Sequence, residues 1–114
     1  MTVNQTGDDN SATANITGNS NGGGVMSGGA GSVAASNDLT SGLIVQDGFS
    51  NTALYTVSGS DSNQFAFLQD GNLNSITGSV SGSGGNQAAV AQTGSSNTVS
   101  FTQIGSSNNL AVSQ

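Results

Sequence analysis

One phrase returns through this chain on a schedule: Gln, any residue, Gly, two residues, Asn, then a run in which small polar and apolar residues alternate. It opens at Gln5, Gln46, Gln69, Gln92 and Gln103, and Gln114 stands where a sixth copy would begin. Self-similarity at a fixed period means that each copy is one structural unit, unable to bury its apolar face until a neighbour stacks on it. This constrains the fold more than any local motif. The chain reads as all-β, a β-solenoid forming a single domain over residues 1–114.

The spacing resolves the unit further. Gln46 to Gln69 and Gln69 to Gln92 are each 23 residues, whereas Gln92 to Gln103 and Gln103 to Gln114 are 11. A second turn lies halfway through each long block, since Val57, Gly59 and Asn63 recur as Val80, Gly82 and Asn86. The pattern predicts rungs of two strands joined by two Gly/Asn turns, about five rungs in all. Residues 22–45 break the pattern. Their GGGVMSGGAG stretch offers too little side chain to fill a column, and the 41 residues from Gln5 to Gln46 are not a multiple of 23. The expectation is a degenerate, Gly-rich rung, with an irregular excursion as the alternative. Gly42, Ile44 and Gln46 come back into phase with Phe65, Phe67 and Gln69.

Alternate residues of a strand point to opposite faces, so those in phase with each Asn form one side. In the first arm these include Ala53, Tyr55 and Val57, then Ile76, Gly78 and Val80, then Val99 and Phe101; in the second, Phe65 and Phe67, then Ala88 and Val90, then Leu110 and Val112. Their neighbours, Thr52, Thr56, Ser75, Thr77, Ser79, Thr98, Ser100 and Thr102, are hydroxylic. That predicts a dry inside and a wet outside. With rungs ~4.8 Å apart, equivalent side chains form columns, placing Tyr55 beside Gly78 so that a large residue meets a small one. Gln46, Gln69, Gln92 and Gln114 would form one amide column and Asn51, Asn74 and Asn97 another. Stacked primary amides satisfy one another's donors and acceptors along the axis. Asn and Gly are also turn formers, but Gln has no turn preference and still returns on schedule.

Composition removes whole classes of function. The chain has no Lys, Arg, His, Cys, Pro or Trp, and its six acids are all Asp. Without cations it has nothing to pair with phosphate, so nucleic acid and anionic membrane surfaces are not expected partners. Without thiols or imidazoles the usual nucleophiles, bases and soft-metal ligands are missing, and neither catalysis nor a cofactor is expected. No apolar run approaches the ~20 residues of a membrane span. MTVNQTGDDN has neither the basic nor the apolar region of a signal peptide, so any export segment is expected to lie outside this sequence. Disorder is the competing reading of so polar a composition, but with charged residues at only 5% self-repulsion is slight, and the regular alternation opposes it.

The blocks QTGDDNSATA at 5–14, QDGFSNTALY at 46–55, QDGNLNSITG at 69–78 and QTGSSNTVSFTQIGSSNNLAVSQ at 92–114 give the chain a sequence that resembles the curlin repeat family, the subunits of secreted functional amyloids of bacterial biofilm. The resemblance covers most of the chain outside 22–45. It implies an extracellular, cell-surface subunit that stacks on copies of itself into a cross-β fibre serving adhesion and matrix building, with a surface nucleator and a secretion channel as partners. It also implies that the stacked amides matter for assembly, here Gln5, Asn10, Gln46, Asn51, Gln69, Asn74, Gln92, Asn97, Gln103 and Asn108. The sequence departs from the family in carrying Val57 and Val80 where a second-half Gln would stand, in its longer second turn and in lacking basic residues.

Two further readings come from the residues alone. Asp47 and Asp70 share one repeat position, and one rung apart, at ~5 Å, two like charges cost on the order of 1 kcal/mol in a water-like dielectric. They are candidate gatekeepers that slow premature assembly, unless Asp-Gly merely favours the turn. The outward Ser/Thr rows suggest the principal alternative function, an ice-binding solenoid. A calcium-stabilised repeat is a third possibility, through Asp8, Asp9, Asp47 and Asp70, although the nonapeptide that builds such sites is absent.

Overall fold

A computed structural model describes residues 1–59 and 61–114. Among these residues nine strands follow in chain order: β1 Thr2–Thr6, β2 Ser11–Ile16, β3 Leu43–Phe49, β4 Thr52–Ser58, β5 Gln64–Asn72, β6 Ser75–Ser81, β7 Gln87–Ser95, β8 Thr98–Ile104 and β9 Asn109–Ser113. One helix, α1, spans Gly28–Ser36 between β2 and β3. The odd strands form one parallel sheet in the order β1-β3-β5-β7-β9, and the even strands form a second, β2-β4-β6-β8. The chain is a β-solenoid of two facing parallel sheets, in which each strand pairs with its own repeat equivalent.

Register follows the repeat. Gln46 sits opposite Gln69 and Gln69 opposite Gln92, and in the other sheet Ala53 sits opposite Ile76 and Val57 opposite Val80. The turns that make this possible use left-handed backbone at two positions of the phrase, as at Gly71 (φ +121°) and Leu73 (φ +58°). Gly71 is constrained twice, because a Cβ there would also collide with the carbonyl of Gly94 on the neighbouring turn.

Ala53, Tyr55, Val57, Phe65, Phe67, Ile76, Val80, Ala88, Val90 and Val99 form one buried cluster with Ile44, and Phe101, Leu110 and Val112 pack against it partly buried. Volumes alternate along the columns. Tyr55 and Phe101 flank Gly78 from the two neighbouring strands, and a Cβ on Gly78 would strike the Phe101 ring and come within 2.9 Å of Tyr55 Cδ2. The backbone at Gly78 is ordinary, so it is glycine for space alone. Tyr55 lies 4.7 Å from Phe65 and edge-on to Phe67 at 5.2 Å between ring centroids, arrangements that aromatic quadrupoles favour.

Residues 22–45 depart from the expected rung. β3 pairs directly with β1, so no strand of this segment intervenes. The chain leaves the sheet at Gly22, whose N–H donates to Asn63 O, and returns at Gly42, whose N–H donates to Phe65 O. Between them it builds α1, which lies on the outer face of the odd-strand sheet over β7 and β9. Met26, Ala30, Ala34 and Leu39 pack there on Ala66 and Ala89 in a second buried cluster. A helix containing Gly28, Gly29 and Gly31 has little intrinsic stability, each Gly costing about 1 kcal/mol relative to Ala. It is held by burial and by tethers from the sheet. Ser27, at the N-cap, makes no side-chain capping bond, and Asn109 Oδ1 on β9 accepts instead from the Ala30 N–H at 2.8 Å. Asn109 Nδ2 donates to Ser27 O and Gln87 Oε1 accepts from the Ser27 N–H.

Candidate assembly site

The amides predicted to stack separate into three columns and one outlier. In the first, Gln5 Nε2 donates to Gln46 Oε1 at 2.6 Å, Gln46 to Gln69 at 2.8 Å, Gln69 to Gln92 at 3.2 Å and Gln92 to Gln114 at 3.3 Å. Gln46, Gln69 and Gln92 are fully buried, whereas Gln5 and Gln114 are exposed at the two ends. Each inner Nε2 also donates to a backbone carbonyl of the facing sheet, Gln46 to Ser11 O, Gln69 to Thr52 O and Gln92 to Ser75 O. Every bond of the column points the same way, from the β1 end towards the β9 end. Aligned amides of this kind polarise one another, so the column is stronger and more directional than its separate bonds.

The second column is Asn10, Asn51, Asn74 and Asn97. Each Oδ1 accepts the backbone N–H of the next Asn at 3.0 Å, and Asn10, Asn51 and Asn74 donate through Nδ2 to the next turn's Gly carbonyl. Side chain thus replaces the hydrogen bonds that the left-handed turn denies to the backbone. Asn108 does not belong here. It stacks on Asn86 and Asn63 in a third column at the opposite turn, with Asn86 Oδ1 accepting from both its N–H and its Nδ2. Asn86 and Asn63 were visible in the sequence only as turn residues.

Gln103 is the outlier. It lies in the even-strand sheet opposite Val80, not over Gln92. Its Nε2 donates to Gln87 O at 3.0 Å, but its buried Oε1 has no partner, because Val80 offers no donor. An orphaned buried acceptor of this kind costs about 1–3 kcal/mol. The Tyr55 hydroxyl is also buried without a partner, and burial pushes its pKa well above the ordinary tyrosine value.

Asp47 and Asp70 sit opposite each other on β3 and β5, exposed, with Thr6 and Thr93 continuing their column. Among the described residues no three acids, His or Cys gather in a way that could hold a metal ion, and no helix is long and apolar enough to cross a membrane.

The two outer faces differ in cover. On the even-strand sheet Thr52, Thr77, Thr98, Ser100 and Thr102 are exposed in register, interrupted by the exposed Leu54. On the odd-strand sheet the outward Ala66, Ala89 and Ala91 form a flat seat and are buried. α1 covers Ala66 and Ala89, so the chain fills that seat itself. Comparison of the chain with known protein families, with curated proteins and with solved structures finds no match.

Proposed function

We propose that the chain is a secreted structural subunit that stacks end to end into a cross-β fibre of an extracellular matrix, serving adhesion. The observation that carries this reading is the Gln column, which runs through the core with one polarity and reaches the β1 end at the exposed Gln5, whose Nε2 is given to Gln46 and whose Oε1 is left to accept from a neighbouring copy. In this reading a rung is two strands, one from each sheet, and the subunit contributes about five such levels, the last through β9 alone. The edges of β1, β2, β8 and β9 carry neither Pro nor Lys, the devices that stop strand addition. The likeness to curlin repeats agrees with it and brings a surface nucleator and a secretion channel as expected partners.

Incubation of the purified chain at micromolar concentration, followed by electron microscopy and fibre diffraction, tests the reading. Unbranched fibrils with a meridional repeat of ~4.8 Å are expected. A chain that stays a soluble β-rich monomer sinks it. The exposed hydroxyl rows of the even-strand sheet favour one second reading, an ice-binding face, and thermal hysteresis of the soluble chain is its test. Asp47 and Asp70 serve in the proposed fibre as gatekeepers, and replacing both with Asn should shorten the lag before fibres form at neutral pH; an unchanged lag removes that role.

A further inference from the structure

We infer that successive copies of the chain join with a half-turn about the solenoid axis, so that β1 of the incoming copy adds to β8 and its β2 adds to β9. This rests on the end-to-end reading above and specifies the contact it requires.

The sheet edges are the first argument. Among the described residues β9 and β8 lie at one pair of edges and β1 and β2 at the other. A copy placed on the first pair in the same orientation would lay β1 on β9 and leave a strand position open over β8. A half-turn pairs both edges without a gap.

Register is the second. β8 leads into Gln103, Gly105 and Asn108, and β1 leads into Gln5, Gly7 and Asn10, the same phrase with the same spacing. Laying β1 on β8 sets Gln5 over Gln103, Gly7 over Gly105 and Asn10 over Asn108 simultaneously. The same register continues across the turn, placing Ala12 of β2 over Leu110 and Ala14 over Val112, so apolar residues meet on the inner face. Asn108 would then treat the incoming Asn10 as Asn51 treats Asn74, its Oδ1 accepting the next backbone N–H.

The third argument comes from the surroundings of Gln103. Gln103 Nε2 donates across to Gln87 O as Gln46 does to Ser11 O and Gln69 to Thr52 O. Those residues have a further Gln ahead of them in the column; among the described residues Gln103 has none ahead, and Val80 behind it. It has the environment of a column's first member. An incoming Gln5 would extend it, and the column would run from Gln103 of one copy through Gln5, Gln46, Gln69, Gln92 and Gln114 of the next. Gln114 then meets the incoming Ile16, the reverse of the Val80-to-Gln103 step already tolerated inside the chain. One consequence is that α1 lies on opposite faces of the fibre in successive copies.

The decisive test uses cysteine pairs in this cysteine-free chain, at exposed outward positions of the full 114 residues. With the half-turn, Asn4 of one copy lies beside Thr102 of the next; without it, Asn4 lies beside Ser113. Neighbouring strands hold Cα atoms within the span a disulfide needs, so under mild oxidation Asn4→Cys/Thr102→Cys fibres should give covalent ladders at roughly tenfold the yield of Asn4→Cys/Ser113→Cys fibres. Fibre formation itself is scored by microscopy. Fibres that cross-link through the Ser113 pair, through both pairs equally or through neither overturn the half-turn while leaving the polymer intact. Absence of fibres from the unmodified chain overturns the polymer and the contact together.

Discussion

The two outer faces of this solenoid are built from the same strand period and meet opposite fates. On the even-strand sheet the outward positions are mostly Ser and Thr, which keep water. On the odd-strand sheet they are Ala66 and Ala89, flanked by Leu43, Val45 and Leu68, and a helix from the same chain closes over them. The difference lies in side-chain size as much as polarity. Ala columns make a shallow, flat seat, and Gly28 and Gly29 let the helix approach it closely: a Cβ on Gly29 would lie 3.1 Å from Ala111 Cβ. A solenoid whose outward residues are interchangeable to the backbone can therefore present one wet face and one sealed face.

The sharpest way to break this comparison is to put the same charge on both faces. Ala89→Asp would bury an unpaired carboxylate beneath α1 and should cost about 3 kcal/mol or more, read as the shift of the urea midpoint, whereas Thr77→Asp on the open face should stay within about 0.5 kcal/mol. Equal costs would mean that α1 does not seal its face. Gly78→Ala tests the core both faces share; with Phe101 and Tyr55 rings occupying the space, overpacking should cost about 1–3 kcal/mol, and Phe101→Leu should recover part of it.

A pH titration addresses the buried phenol. The pKa of Tyr55 is raised in the folded state, so the unfolded chain ionises first. Its contribution to stability is complete below the ordinary value of about 10 and declines as pH rises above it. Tyr55→Phe should flatten the alkaline fall, measured as melting temperature between neutral pH and pH above 10; an identical fall in the variant would reject the argument. The smallest effect is expected at the helix tether. Asn109→Ala removes the acceptor that caps Ala30 N–H and should cost about 1 kcal/mol, with hydrogen exchange rising over Gly28–Ser36 and unchanged in β4 and β6. Uniform exchange changes across both sheets would show that α1 and the sheet unfold as one.

The inner side of the solenoid was legible because its signal is periodic. Tyr55, Phe65, Phe67 and Ile76 fall in phase with the turn Asn residues, and alternation alone assigns them to the interior. The helix was not legible. GGAGSVAAS has poor helix propensity, no capping side chain and no acidic or basic residues in its end turns, so nothing local marks it. Its partners, Ala66 and Ala89, looked like outward strand residues because outward they are; only the returning segment makes them core. Gln103 and Asn108 carry the same phrase as Gln92 and Asn97 one 11-residue step later, and the step to the other arm was legible in the switch from Val99 and Phe101 to Leu110 and Val112; that Gln103 Oε1 is left without a partner opposite Val80 was not.

The sequence by itself determined the repeat, the inward and outward sets and the amide positions that stack, because each follows from strand periodicity and from the need of buried amides for like neighbours. The tertiary structure alone decided what covers the Ala face and where α1 finds its cap. Those outcomes depend on contacts between residues 60 and 79 positions apart, such as Ser27 with Gln87 and Ala30 with Asn109, whose energies come from burial and tethering and leave no periodic trace in the chain.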